Sequence, residues 1–248
     1  MSGVELRYLE HADRRLAYRR RDGASPGLLF LPGYASDMEG TKAEAIDAFA
    51  ERQGLAMLRF DYSGTGSSEG TFADRTLGMW LDEALHLLDH LVEGRVIVIG
   101  SSMGGWLALL LAKLRPERVA AVIGIAAAPD FTEWGYSDED KQELRNSRRV
   151  EQPNPYGGEP QLTTFAFWDS GQSLRVLDGP PVVDCPVRLI HGECDRDVPV
   201  EIALRTLRTL RSADIQLTII KGGGHRLSER HEIETILRSV ASLVGDHR

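Results

Sequence analysis

Short runs of β-branched and leucine-rich residues alternate along the chain with longer segments in which apolar positions recur every three to four residues. The short runs fall at 28–31, 56–60, 96–99, 119–125, 187–190 and 215–220 and have the length of strands. Helical periodicity fills the intervals at 41–52, 103–115, 200–211 and 227–244. It is clearest where Leu77, Leu81, Ala84, Leu88 and Leu91 line one face. Two opening segments, 5–9 and 16–20, predict an antiparallel hairpin. The alternation predicts an α/β fold, with a mostly parallel eight-stranded sheet covered by helices on both faces.

One interval breaks the rhythm. Across 130–181 an acidic patch (Asp138, Glu139, Asp140) gives way to Arg145, Arg148 and Arg149, and then to Pro153, Pro155, Gly157 and Gly158. This stretch holds seven of the chain's seventeen aromatics (Phe131, Trp134, Tyr136, Tyr156, Phe165, Phe167, Trp168) in about a fifth of its length. That is more than a linker needs. The expectation is a single domain over 1–248 with a small helical cap inserted at about 130–181, over the C-terminal strand ends where open α/β sheets bind ligands.

Composition narrows the classes. With 42% hydrophobic and 27% charged residues the chain has the make-up of an ordinary globular protein. A net charge of -8 argues against a broad basic surface for nucleic acid, and Arg14, Arg15 and Arg19 to Arg21 are expected on a solvated strand face. No apolar run reaches the length of a membrane span. The opening MSGVELRYLE has neither the apolar core of a secretory signal nor the Arg/Ser-rich, acid-poor character of a transit peptide, so a cytoplasmic location is expected. Cys185 and Cys194 bracket a predicted strand, which holds them roughly 25–30 Å apart at about 3.3 Å per residue, too far for a disulfide. Both are expected as reduced thiols.

The candidate chemistry starts at VIVIGSSMGGWLALLLA, where a strand runs directly into a helix through GSSMG at 100–104. A G-x-S-x-G motif in that context predicts a nucleophile elbow, in which a sharp turn lifts Ser102 above the sheet and small flanking residues relieve the crowding. The N–H of Met103, at the helix start, is a candidate oxyanion donor. A serine hydroxyl needs a base, and the base a carboxylate, in the order Ser, acid, His. His11, His86 and His90 precede the serine, His247 is terminal, His191 falls in a strand and His231 in a helix. His225, in KGGGHRLS after the last strand, is the candidate base. HGECDRDVP at 191–199 offers Glu193, Asp195 and Asp197. Asp195 is preferred as the acid, with Asp197 a possible cap for the helix that Pro199 opens. The second oxyanion donor is expected from LPGYAS at 31–36, where Tyr34 has an N–H and Pro32 has none. DYSGTGSSEG at 61–70 lacks the phosphate-loop pattern and is expected as a structural turn. His86 and His90, without H-E-x-x-H, are expected on a solvated helix face and not as metal ligands.

With these residues placed, the chain resembles the serine α/β-hydrolases over nearly its whole length. LPGY at 31–34, GTKA at 40–43, RFDYSGTGSS at 59–68, GSSMGGW at 100–106 and RLIHG at 188–192 are most similar to the abhydrolase-domain acyl-glucuronide esterase and palmitoyl-protein thioesterase group, which is mitochondrial in mammals. The wider superfamily often carries His-Gly where this chain has Pro32 and Gly33. The resemblance implies an α/β-hydrolase fold, triad roles for Ser102, Asp195 and His225, and oxyanion roles for Tyr34 and Met103. The expected activity is metal- and cofactor-independent hydrolysis of carboxylic esters or thioesters. The expected substrates are small acyl esters, thioesters or acylated proteins, handled by a monomer or small homo-oligomer. The alternatives are acyl transfer or peptide cleavage on the same residues, and a ligand-binding module that retains the scaffold without turnover.

Overall fold

The computed structural model describes residues 4–153, 157, 160–179 and 183–247; residues 1–3 and 181, with Pro155, Tyr156 and Gly158, lie outside the described residues. The predicted hairpin forms as β1 (Leu6–His11) and β2 (Arg14–Arg21). Then come β3 (Ala24–Leu31), α1 (Thr41–Gln53), β4 (Leu55–Phe60), α2 (Leu77–Leu91), β5 (Val96–Ser101), α3 (Met103–Leu114) and β6 (Val119–Ile125). An excursion follows: α4 (Phe131–Trp134), α5 (Asp138–Ser147), β7 (Arg149–Gln152), β8 (Gln161–Thr164) and α6 (Phe165–Ser173). The alternation resumes with β9 (Val187–Gly192), α7 (Val200–Thr209), β10 (Ile215–Ile220) and α8 (Arg230–Asp246).

Eight strands form one sheet in the order β1-β2-β4-β3-β5-β6-β9-β10. β2 is antiparallel to β1 and β4, and every other neighbour is parallel. Along β5, Val96 and Val98 pack into one apolar layer with α2 and α3, while Ile97 and Ile99 pack into the other with α1 and α8. A strand covered on both faces has no polar side to spend, which is why these runs are continuously apolar. The register sets Leu31 beside Gly100 and Ser101 beside Ile125, so the loops leaving β3, β5 and β6 emerge together.

Three expectations change. The excursion between β6 and β9 is not purely helical, because β7 and β8 pair as an antiparallel ribbon between α5 and α6. Helix α8 starts at Arg230 and not at 227: Leu227 is buried in a left-handed turn (φ 43°), and Glu229 and Glu232 form a reciprocal capping box at the true start. The arginines of β2 are not a simply solvated face. Arg19 pairs with Glu39 and Arg21 with Asp47, with side chains only 25% and 19% exposed, because the loop that leads into α1 and the acidic side of α1 itself lie against that strand.

Candidate active site

Ser102 is where β5 ends and α3 begins, and its backbone is held at φ 54° and ψ -119°. A side-chain-bearing residue reaches that region only when its surroundings impose it. Here they do: Ser102 N–H donates to the Ile125 carbonyl (2.9 Å), and its own carbonyl accepts from Gly105 (2.9 Å) and Ala128 (3.0 Å). The predicted small residues meet a steric demand. A Cβ on Gly104 would stand 2.1 Å from the Leu31 carbonyl oxygen, and one on Gly100 would stand 2.1 Å from that of Gly104.

The candidate base and acid arrive from separate elements. His225, on the turn between β10 and α8, places Nε2 at 3.0 Å from Ser102 Oγ and Nδ1 at 2.9 Å from Asp195 Oδ2. Asp195 follows β9, and its Oδ1 accepts from the N–H groups of Asp197 and Val198, both at 2.9 Å, so the loop closes around the carboxylate. Burial pushes this carboxyl upward, but the hydrogen bond and charge of His225 and the two backbone donors outweigh it and hold the carboxyl below its usual range. The other two carboxylates of the loop do different work. Glu193 accepts from Gly222 N–H, and Asp197 is not the cap of α7, whose N-cap is Pro199 without a side-chain bond. His191 is buried in β9, bonded through Nε2 to the Val198 carbonyl and 3.5 Å from Asp195 Oδ2.

The loop after β3 lies against the elbow. A Cβ on Gly33 would stand 3.3 Å from the Ser101 carbonyl oxygen and 3.4 Å from Ser102 Cβ, so the backbone that leads to Tyr34 runs directly beside the serine. The Met103 N–H is in the first turn of α3, where helix geometry supplies no intrahelical acceptor. Tyr34 is also fixed by its side chain: the hydroxyl donates to the Leu162 carbonyl of β8 (2.7 Å), and the ring packs on Phe72 and Phe167 (centroids 5.0 Å). Sequence reasoning missed what holds this loop from below. The buried Asp61 carboxylate accepts from Met38 N–H (2.7 Å) and Ser67 N–H (2.8 Å), and Arg59 Nη1 donates to the Met38 carbonyl (2.7 Å). The signal was an aspartate opening a Gly/Ser-rich turn, where a short carboxylate is suited to collect backbone donors. DYSGTGSSEG is thus a structural turn that props the neighbouring loop.

These residues open into a cleft of about 1380 Å³, lined among others by Tyr34, Phe72, Ser102, Phe131, Trp134 and His225. Of the excursion's described aromatics, Phe131, Trp134 and Tyr136 line the cleft, whereas Phe167 and Trp168 are buried in the packing behind it. Both stems of the excursion meet at Asp130, a buried left-handed residue (φ 57°) whose carboxylate accepts from the N–H groups of Val176 and Leu177, each at 2.8 Å. Asp130 fell in no motif, and Lys42, which also lines the cleft, fell in the GTKA block without a role of its own.

Elsewhere, His86 is not merely solvated: its ring lies between those of His11 (centroids 4.3 Å) and His90 (4.0 Å), tilted to both. Among the described residues no group of three or more His, Cys, Asp or Glu side chains is arranged to hold a metal ion, and no helix is long and apolar enough to cross a membrane. Cys185 and Cys194 are unpaired.

The geometry can be set beside known proteins. Residues 28–235 match the model of the alpha/beta hydrolase family. The chain is 37% identical over 246 residues to the human palmitoyl-protein thioesterase ABHD10, mitochondrial, covering 97% of this chain and 80% of that one. It is 39% identical over 233 residues to the mouse protein of the same name, covering 92% and 78%. Among solved structures, alpha/beta hydrolase domain-containing protein 10 from mouse superposes with a TM-score of 0.92 at 36% identity, covering 98% of this chain and 99% of that one. A putative hydrolase from Agrobacterium vitis S4 superposes with a TM-score of 0.91 at 36% identity and the same coverage. The family match spans most of the chain and these relatives agree with it in sequence and in fold, so this chain belongs to the alpha/beta hydrolase family.

Proposed function

We propose that the protein is a serine hydrolase of carboxylic esters and thioesters that works through an acyl-enzyme on Ser102. The observation that carries this reading is the unbroken hydrogen-bond chain from Ser102 Oγ through His225 to the buried Asp195, at the floor of an open cleft. His225 Nε2 takes the hydroxyl proton as Oγ attacks the acyl carbonyl, and Asp195 holds the imidazole in orientation and stabilises its charged form. The N–H groups of Met103 and Tyr34 bind the tetrahedral oxyanion. Collapse expels the alcohol or thiol, which takes the proton back from His225, and a water activated by the same histidine releases the acid.

The cleft exceeds the roughly 300–1000 Å³ usual for small-ligand sites, which suits an acyl chain carried on a bulky leaving group. Relatives named palmitoyl-protein thioesterases support an acyl thioester, free or on a protein, as the substrate class. The relatives are named mitochondrial, and fractionation of cells expressing the tagged protein tests whether that residence extends to this one. The test of function is a rate series on chromogenic esters and acyl thioesters of increasing chain length, with Ser102→Ala as the blank. Turnover that depends on Ser102 and varies with chain length supports the reading. Turnover equal to the blank on every substrate overturns it and favours a binding module.

A further inference from the structure

The turn that carries His225 is gripped from two sides. On the side before the histidine, the acid loop holds it: Cys194 N–H donates to the Gly223 carbonyl (2.8 Å) and Gly222 N–H donates to Glu193 Oε2 (3.0 Å). On the side after it, Lys42 Nζ donates to the carbonyl of Arg226, the residue directly following the histidine. Lys42 is the second residue of α1, the helix that the Tyr34 loop runs into, and it lines the same cleft as Ser102 and His225. One side chain therefore spans from the oxyanion loop's helix to the base's turn. We propose that Lys42 is a positioning residue, whose ammonium fixes the His225 turn through the Arg226 carbonyl and so keeps the imidazole in line with Ser102.

The proposal rests on the reading of His225 as base, and it carries a pH consequence. Burial pushes the Lys42 ammonium down to about 8; the facing charge of Arg226 pushes the same way, and Glu232, at the start of α8, opposes both. A charged donor makes a hydrogen bond roughly twice as strong as a neutral one. As pH rises through about 8 the ammonium loses its proton, the grip weakens, and turnover declines on the alkaline side.

The experiment measures kcat and KM for a neutral p-nitrophenyl ester from pH 6 to 10 in wild type, Lys42→Met and Lys42→Arg, with Ser102→Ala subtracted. Lys42→Met is expected to lower kcat about tenfold at neutral pH, the scale of one lost charge-assisted hydrogen bond, with KM changed less than about twofold and the alkaline decline absent. Lys42→Arg, whose guanidinium stays charged, is expected to recover part of the lost kcat and to hold it above the pH at which wild type declines. Should Lys42→Met fail to fold, the Lys42→Arg profile decides alone. An alkaline limb at the wild-type position in either variant, or an unchanged kcat in Lys42→Met, overturns the proposal. An inactive wild type overturns this proposal and the hydrolase reading together, whereas an active wild type with indifferent Lys42 variants overturns this one only.

Discussion

The backbone of Ser102 stores strain, because a φ of 54° with a ψ of -119° is comfortable only for glycine. Ser102→Gly should therefore unfold at higher temperature than Ser102→Ala, by about 1–3 kcal/mol of released strain, while both variants are inactive; equal stabilities would remove the strain from the account. Asp195→Asn should lower kcat by on the order of 10³–10⁴ with the protein still folded, because the amide leaves His225 in the wrong tautomer. Its effect on stability has a definite sign. The folded carboxyl is held below its ordinary range, so its contribution is complete above about pH 4 and is lost as pH falls through the lower folded value. In acid titrations followed by circular dichroism, Asp195→Asn should show a shallower loss of stability below about pH 4 than wild type. Much of the arrangement of the candidate site was legible in the chain: the elbow from G-x-S-x-G in strand-to-helix context, and the place of His225 by elimination among seven histidines. What Lys42, inside the GTKA block, and Asp130 do was not legible, because their partners are backbone groups 184 and 46 residues away.

At the scale of elements, the elbow tolerates no added bulk. Gly104→Ala would drive a methyl group into the Leu31 and Pro32 carbonyl oxygens, and it should cost about 1–3 kcal/mol or more in denaturant unfolding; a wild-type midpoint would mean that α3 and β3 separate freely. The excursion between β6 and β9 makes a similar demand at its base. Asp130→Ala leaves the buried N–H groups of Val176 and Leu177 without their acceptors, at about 1–3 kcal/mol each. Limited proteolysis should then cleave near 174–178 faster than in wild type, and unchanged digestion would show that the stems are held by other contacts. Its ribbon escaped the sequence reading for a physical reason. β7 and β8 have four residues each and are stabilised by pairing with one another and by Tyr34 and Tyr136 hydroxyls, so they lack the continuous apolar run that marks a central strand of the main sheet.

Across the whole molecule, burial of the sheet on both faces makes its strands apolar and its crossovers amphipathic, and so the order of elements is written plainly in the chain. The same topology brings the loops after β3, β5, β9 and β10 to one end, where residues separated by 123 and 30 positions come within hydrogen-bond reach. Whether Ser102 is the nucleophile activated there is read out by covalent labelling with a fluorophosphonate followed by peptide mass mapping. One adduct is expected, on the peptide carrying Ser102, absent in Ser102→Ala and formed at least about a hundredfold more slowly in His225→Ala, the scale of losing a positioned base. An adduct on another residue, or labelling that persists in Ser102→Ala, would contradict that role for Ser102.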